Sequence, residues 1–186
     1  MSKVFVTDMD DVLVDLFSAW VKHLNTKYNL AVRLEDVTDW EISKAFPTLC
    51  PRELYDPLFT AELWSQVKPK HDAVQGLKRL IDKGYDVYVA TASHHKSLPI
   101  KVELALFPYF NYLDYKNIIM CHNKQLIECD YIVDDNIDNL KGHRAITFLM
   151  DAPYNRDVDE SLYDFRVHNF QQVIEIIRKI EVLESE

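Results

Sequence analysis

Two aspartates near the start of the chain have the type and spacing that indicate chemistry. Asp8 and Asp10 follow the apolar run Val4–Thr7 and stand two positions apart. Turn formation or helix capping explains one aspartate well, but it explains three aspartates in four residues poorly. An EF-hand calcium loop is excluded, because Val12 stands where an oxygen ligand is needed. The pattern favours a nucleophile and a general acid that share a hard metal ion.

Polar residues recur at the ends of three later predicted strands. The second strand ends at Thr91, Lys124 follows the third, and the fourth ends in Asp134 and Asp135. In open α/β sheets, ligands bind at the carboxyl ends of the strands. Four carboxylates that converge there would repel one another unless a cation lies between them, and Mg²⁺ prefers such ligands. Thr91 and Lys124 could then hold a substrate phosphate.

Each of these residues also has a plainer interpretation, which the sequence leaves open. Thr91 could simply end a strand, and Lys124 competes with Lys116 and could be a solvated loop lysine. One of the two adjacent aspartates, Asp134 or Asp135, could cap a short helix predicted over 137–140. Most histidines near such a site face solvent, so no role is assigned to His94, His95 and His122.

The elements that must position these residues alternate between strands and helices. Strands are predicted at 4–7, 86–90, 117–121, 131–133 and 145–150. Helices are predicted over 11–28, 72–83 and 98–106, with a closing helix around 170–180. The alternation predicts an α/β fold with a doubly wound, parallel five-stranded sheet that is Rossmann-like and covered by helices on both faces.

One segment interrupts this alternation. Residues 29–70 contain four prolines that separate short helical pieces, together with a concentration of aromatic residues. Linkers are poor in aromatic residues, so we predict a small helical cap inserted after the first strand. The cap would span residues 16–69, and the core would be formed by residues 1–15 and 70–186.

Composition and charge narrow the classes of function. The chain has 186 residues, 48% of them hydrophobic and 27% charged, which is typical of one globular core. The net charge of −9 argues against a nucleic-acid polymer as partner, but a small phosphorylated substrate remains compatible. Three cysteines without metal-ligand spacing indicate reduced thiols. We expect a cytoplasmic protein without a membrane partner, because no signal segment or apolar span is evident.

The motifs resemble those of a known superfamily. The order Asp-Met-Asp-Asp-Val at 8–12, Val-Ala-Thr at 89–91, Lys124 and Ile-Val-Asp-Asp at 132–135 resembles the four motifs of the haloacid dehalogenase phosphohydrolases. Segments 8–15, 121–124, 132–136 and 148–155 more narrowly resemble the 5'(3')-deoxyribonucleotidases. The resemblance implies a phosphatase core and Mg²⁺-dependent hydrolysis of deoxyribonucleoside monophosphates, with pyrimidine forms favoured. The alternatives are the same chemistry on another small phosphate, such as a sugar phosphate, or a non-catalytic nucleotide-binding protein on this fold.

The resemblance also implies catalytic and metal-binding roles. Asp8 would be the nucleophile that forms an aspartyl-phosphate, with one oxygen on Mg²⁺. Asp10 would protonate the leaving oxygen and then activate water, while its backbone carbonyl reaches the metal. Asp134 would ligate Mg²⁺, and Asp135 would support the metal directly or through water. The implied strand order is third-second-first-fourth-fifth, with a topological switch point at the first strand.

The substrate-binding roles complete the prediction. Thr91 and Lys124 would bind the phosphate, and Lys124 would also neutralise the nucleophile. The chain departs from the nucleotidase pattern at two places, because Asp11 stands where Gly is usual and Ala92-Ser93 replaces a common Ser-Pro pair. Ser93 or a backbone N–H would therefore supply the missing phosphate contact. Four aromatic residues are candidates for stacking on a base, or else belong to the core of the cap: Phe17, Trp40, Phe46 and Trp64. The oligomeric state is left open, with a homodimer as one option.

Overall fold

A single parallel sheet organises the molecule, which we describe from a computed structural model covering residues 2–184. Its strands are β1 (Val4–Thr7), β2 (Asp86–Thr91), β3 (Ile118–Met120), β4 (Tyr131–Asp134), β5 (Ile146–Met150) and β6 (Phe165–Val167). Their order is β3-β2-β1-β4-β5-β6, and every neighbouring pair is parallel. The doubly wound sheet and its implied strand order are therefore confirmed.

The sheet has one strand more than the sequence predicted. Strand β6 spans three residues, pairs with β5 and carries Arg166 at its centre. Three residues with a charged residue at the centre are too few to show the hydrophobic periodicity of a strand, so the sequence gives no signal for β6. The strand is defined by its pairing with β5.

Strand β1 lies at the centre of the sheet and separates two apolar layers. Phe5 pairs with Val87 of β2 on one side and with Tyr131 of β4 on the other. Successive side chains of a strand point to opposite faces, so Phe5 and Val6 belong to different core clusters. Because both faces are covered, β1 is an apolar run without alternation.

The helices cover both faces of the sheet. They are α1 (Leu16–Tyr28), α2 (Pro51–Tyr55), α3 (Ala61–Trp64), α4 (Ala73–Asp82), α5 (Leu98–Lys101), α6 (Ile137–Leu140) and α7 (Phe170–Glu184). A π-helical segment, Val102–Leu106, continues α5. Short 3-10 helices lie at Leu34–Asp36, Ile42–Lys44, Asp56–Phe59, Tyr115–Asn117, Lys124–Leu126, Pro153–Asn155 and Glu160–Leu162.

The first helix begins at Leu16, so the prediction of a start at Asp11 was wrong. Asp11 has a φ of 57°, in the left-handed region that a right-handed helix excludes. The N–H groups of Leu13 and Val14 both donate to the carbonyl of Met9, closing a tight turn between β1 and α1. Asp8, Asp10 and Asp11 therefore lie in the connection between β1 and α1, and none of them belongs to the helix.

Segment 16–69 contains α1, several shorter helices and no strand, and the structure describes all of it. Two indoles hold these pieces together, since Trp20 Nε1 donates to the Leu54 carbonyl and Trp64 Nε1 to the Leu58 carbonyl. Its apolar residues form one cluster with those on the Phe5 face of the sheet. The division into core and cap therefore stays a prediction. No helix within residues 2–184 is long and apolar enough to cross a membrane.

Candidate active site

A buried lysine joins two aspartates at the carboxyl end of the central strands. Lys124 Nζ lies 2.5 Å from Asp8 Oδ1 and 2.6 Å from Asp134 Oδ2. Asp8 follows β1, Asp134 ends β4, and Lys124 begins a short turn after β3. Burial alone would lower the pKa of Lys124, but the two carboxylates outweigh burial and raise it. Lys116 is exposed, so Lys124 is the lysine that the fold brings to this point.

Three carboxylates converge beside this lysine. Asp8, Asp134 and Asp135 each offer an oxygen, and these three atoms lie within 4.8 Å of one another. Burial raises the pKa of Asp134 to about 6 against the opposing charge of Lys124. Burial and the neighbouring carboxylates raise the pKa of Asp135 well above its usual value. Such a cluster is destabilised by repulsion unless a cation lies within it.

The donor set fits a divalent cation. Asp135 Oδ1 is buried and has no hydrogen-bond partner among the described residues, while the Tyr154 hydroxyl donates to Asp135 Oδ2. An unpartnered buried carboxylate oxygen is costly, and coordination of a metal would satisfy it. Oxygen ligands of this kind suit a hard cation.

Neighbouring amides hold the carboxylates in place. Asp134 accepts from the Asn136 backbone N–H at 2.9 Å and from Asn139 Nδ2 at 3.1 Å. The Asn136 side chain in turn accepts from the Asp138 N–H and caps α6. The residue that caps this helix is therefore Asn136, and both aspartates of the pair face the site.

Asp10 belongs to a second charged group, whose buried lysine the sequence reasoning missed. Its Oδ2 lies 2.6 Å from the Nζ of Lys101, which also donates to Thr91 Oγ1 at 2.7 Å. Burial raises the pKa of Asp10, and the charge of Lys101 opposes this shift. A signal was present, because Lys101 shares a helical face with the apolar residues Leu98 and Ala105.

The residues predicted to bind phosphate differ in placement. Lys124 lines a cavity beside the carboxylates. Thr91 is fully buried, and its hydroxyl oxygen accepts a hydrogen bond from Lys101. Ser93 stands two positions after Thr91, yet it lines a neighbouring open cavity and contacts Ser97 through a 3.0 Å hydroxyl pair. The Asp10 side chain lies outside the three-carboxylate cluster, and the role of its backbone carbonyl stays a prediction.

A cavity of about 360 Å³ opens above the carboxylates. Its floor is charged and its walls are largely apolar, lined by Leu16, Phe17, Trp20, Trp40, Ile42 and Tyr55. The Phe17 ring lies 4.8 Å from the Tyr154 ring, and Trp40 is 52% exposed at the rim. Phe46 and Trp64 are almost fully buried outside this lining, so we drop them as base contacts. They pack in the apolar cluster that also contains Phe5, so they occupy core positions and not the cavity wall.

Asp11 connects the acidic turn to the aromatic wall. Both of its carboxylate oxygens accept from the Phe17 backbone N–H, at 3.1 and 3.2 Å. Burial raises the pKa of Asp11 to about 8, although Lys70 lies 3.9 Å away. Aspartate tolerates the left-handed backbone that glycine adopts freely, and here its carboxylate also ties the start of α1 to the turn.

Fold and site together define a class of protein. The parallel sheet, the two aspartates after its central strand and the lysine-linked carboxylates are those of a phosphohydrolase of the haloacid dehalogenase superfamily. A haloacid dehalogenase-like hydrolase from Streptococcus pneumoniae has a similar fold, with a TM-score of 0.65 and 12% identity over 95% of this chain and 98% of that one. A haloacid dehalogenase family hydrolase from Deinococcus radiodurans, solved with bound phosphate and sodium, reaches a TM-score of 0.67 at 12% identity, covering 96% of each chain.

The chain belongs to the family described as 5' nucleotidase, deoxy (pyrimidine), cytosolic type C, whose profile matches residues 2–183. The 5'(3')-deoxyribonucleotidase of Bacillus subtilis is 34% identical over 175 residues, which cover 93% of this chain and 97% of that protein. The corresponding protein of Clostridium acetobutylicum is 30% identical over 149 residues, 80% of this chain and 82% of that protein. The chain is thus a phosphoric monoester hydrolase of the nucleotidase type, and the resemblance seen in the motifs is confirmed.

Proposed function

We propose that this protein hydrolyses deoxyribonucleoside monophosphates, pyrimidine forms foremost, in a Mg²⁺-dependent reaction through an aspartyl-phosphate on Asp8. One observation carries the proposal: Lys124 joins Asp8 to Asp134 at the floor of a cavity with aromatic walls. A nucleophile, a charge to neutralise it and a surface for a flat ring thus lie within one cavity.

The proposed reaction has two displacement steps, in which Asp8, Asp10 and Lys124 take part. Lys124 offsets the charge of Asp8, so a carboxylate oxygen of Asp8 can approach an anionic phosphate. As that oxygen bonds to phosphorus, the bond to the leaving oxygen breaks, and Asp10 gives that oxygen a proton. Asp10 then takes a proton from water, the water oxygen bonds to phosphorus, and the bond from Asp8 to phosphorus breaks. Two such displacements replace one slower direct hydrolysis.

Asp8, Asp134 and Asp135 would hold the metal ion. When bound, Mg²⁺ supplies positive charge that stabilises the phosphate oxygens and offsets the repulsion among the carboxylates. The unpartnered Oδ1 of Asp135 and the purely oxygen donor set support this assignment. The backbone carbonyl of Asp10 stays a proposed further ligand.

The cavity walls favour a nucleotide over a sugar phosphate. Phe17 and Trp40 line the cavity above the charged floor, with ring centres 6.4 Å apart. A base has a flat face that such rings can contact, whereas a sugar phosphate has none. The volume of about 360 Å³ is at the lower end of what small-ligand sites offer, so it suits a mononucleotide better than a longer ligand.

The first experiment measures phosphate release from a panel of deoxyribonucleotides, ribonucleotides and sugar phosphates, with and without Mg²⁺. We expect preference for pyrimidine deoxyribonucleotides, dependence on the metal and loss of turnover in Asp8→Asn. Asp138→Asn, at an exposed aspartate, is the matched control and should keep wild-type turnover. Preference for a sugar phosphate would reject the substrate but keep the mechanism. Turnover that survives Asp8→Asn would reject the mechanism.

The aromatic wall is tested by substitution at its rim. Trp40→Ala should raise KM for the nucleotide and leave any turnover of a sugar phosphate nearly unchanged, because a sugar phosphate has no flat ring that could contact the indole. Phe59→Ala, at an aromatic residue that is 39% exposed outside the cavity lining, is the control. An equal loss in both variants would reject a base contact at Trp40.

We also propose a cytoplasmic location and retain a homodimer as a prediction. The family description includes the word cytosolic, and all three cysteines are free thiols: Cys50, Cys121 and Cys129. Sedimentation of the purified chain would decide between a monomer and a dimer.

A further inference from the structure

Lys101 is a buried cation that lies outside the four sequence motifs. It is the last residue of α5 and is 1% exposed, with its ammonium 5.4 Å from the centre of the Trp64 ring. A buried lysine is costly unless its charge is paired and its donors are used. Its contacts therefore indicate what it does.

The ammonium of Lys101 contacts one oxygen of Asp10 and one of Thr91. The distances are 2.6 Å to Asp10 Oδ2 and 2.7 Å to Thr91 Oγ1. Lysine has donors only, so both oxygens accept. The other oxygen of Asp10, Oδ1, is buried and has no partner within residues 2–184. Among the described residues, Lys101 is the only one that donates a hydrogen bond to the Asp10 carboxylate.

Lys101 does not reach the substrate cavity itself. Asp10 lines the cavity, while Lys101 and Thr91 lie behind it. A direct bond from this ammonium to a substrate phosphate is therefore not supported, and Lys101 can act on the reaction only through Asp10.

We propose that Lys101, anchored by Thr91 and Trp64, is a positioning residue that orients the Asp10 carboxyl group for proton transfer. The inference rests on the proposed function. In the first displacement a proton passes from Asp10 to the leaving oxygen, and in the second a proton passes from water to Asp10. The protons of Lys101 stay on Lys101 throughout. Thr91 thereby has a role other than direct contact with the phosphate.

The test compares two leaving groups in Lys101→Met. A nucleoside leaves as an alkoxide that needs a proton, whereas p-nitrophenyl phosphate releases a stable phenolate that needs none. We expect first-turnover release of nucleoside to fall about 10²-fold or more, the usual contribution of general acid catalysis. First-turnover release of nitrophenolate should stay close to wild type. Lys96→Met, at an exposed lysine of the same segment, is the matched control and should match wild type on both substrates.

Three results would overturn the proposal. An equal fall on both substrates would assign Lys101 a purely structural role. Weaker inhibition by inorganic phosphate with kcat unchanged would make it a phosphate ligand. If Lys101→Met does not fold, Lys101→Gln keeps amide donors without the charge and should show the same dependence on the leaving group. Failure of both variants to fold would again assign a structural role. A wild-type chain inactive on both substrates would contradict the proposed function itself.

Discussion

Lys124 and Asp8 stand 116 positions apart in the chain, yet the Lys124 ammonium lies 2.5 Å from a carboxylate oxygen of Asp8. Strands β1 and β4 are neighbours in the sheet, so Asp8 and Asp134 lie close together at the carboxyl ends of these strands, and Lys124 lies between them. All three side chains are buried, and the lysine forms an ion pair with both carboxylates. Removal of one partner from such a group leaves an uncompensated charge away from water.

Replacing this lysine should abolish most of the activity. In Lys124→Met we expect phosphate release to fall by about 10²-fold or more, as when a preorganised donor to a developing charge is removed. The reason is that Asp8 and Asp134 would then repel the phosphate as well as each other. Steady-state phosphate release measures the effect, and Lys116→Met at an exposed lysine is the control. Full activity in Lys124→Met would refute the role of the buried pair.

The hydroxyl of Tyr154 should tune metal binding. It donates to Asp135 Oδ2, while its ring packs against Phe17. Tyr154→Phe removes the donor and keeps the ring, so we expect Mg²⁺ affinity to drop about 10- to 100-fold. The Mg²⁺ dependence of turnover and of the melting temperature reports this affinity, because a ligand of the folded state raises stability. Tyr115→Phe, at a 75% exposed tyrosine, should bind Mg²⁺ like wild type. Equal affinities in the two variants would contradict the prediction.

Because the backbone at Asp11 is left-handed, we expect three substitutions at this position to differ in their free energy of unfolding. Asp11→Gly and Asp11→Ala both lose the hydrogen bond from the Phe17 N–H, but only alanine keeps a Cβ at a φ of 57°. The Ala variant should therefore be less stable than the Gly variant by about 1 kcal/mol. Urea unfolding measures the difference. Asp11→Asn, which keeps an acceptor, should lie closest to wild type, and an Ala variant as stable as the Gly variant would rule out backbone strain.

Thiol reactivity should distinguish two cysteines. Burial raises the pKa of Cys129 to about 12, with a further contribution from Asp130, whereas Cys50 is exposed. A raised thiol pKa leaves less thiolate, so at pH 8 about 10⁻⁴ of Cys129 is ionised and alkylation is slow. Its rate should rise about tenfold per pH unit over the pH range in which the protein stays folded. Mass spectrometry after timed alkylation should show Cys50 modified first. In urea the two rates should converge, and equal rates in the folded protein would disprove the shift.

Several features were predictable because they depend on local chemistry. The apolar run before Asp8 and the acidic pair at the end of β4 identify strand ends, and strand ends carry sites in α/β folds. The start of the first helix was misplaced, because the left-handed turn at Asp11 is a conformation that apolar periodicity does not report. Strand β6 was missed because its three residues find their place only by pairing with β5.

Other features depend on contacts that no local pattern encodes. Lys101 contacts Asp10 across 91 positions, and Tyr154 contacts Asp135 from the short 3-10 helix after β5. Among the aromatic candidates, Phe17 lines the cavity and Trp64 does not, although both are apolar aromatic residues in helices. Which face of each helix meets the cavity is decided by how the helices pack against one another.

The sequence by itself determined the reaction class, because the types of the motif residues and their order at strand ends define which chemistry is available. The tertiary structure decided which charges meet. Parallel pairing of β1 with β2 and β4 brings distant strand ends together, and there Lys124 pairs with Asp8 and Asp134, while Lys101 pairs with Asp10. In a medium of low polarity, a charge is tolerated only beside its partner, so the pairing of Lys124 with Asp8 and of Lys101 with Asp10 follows from the fold.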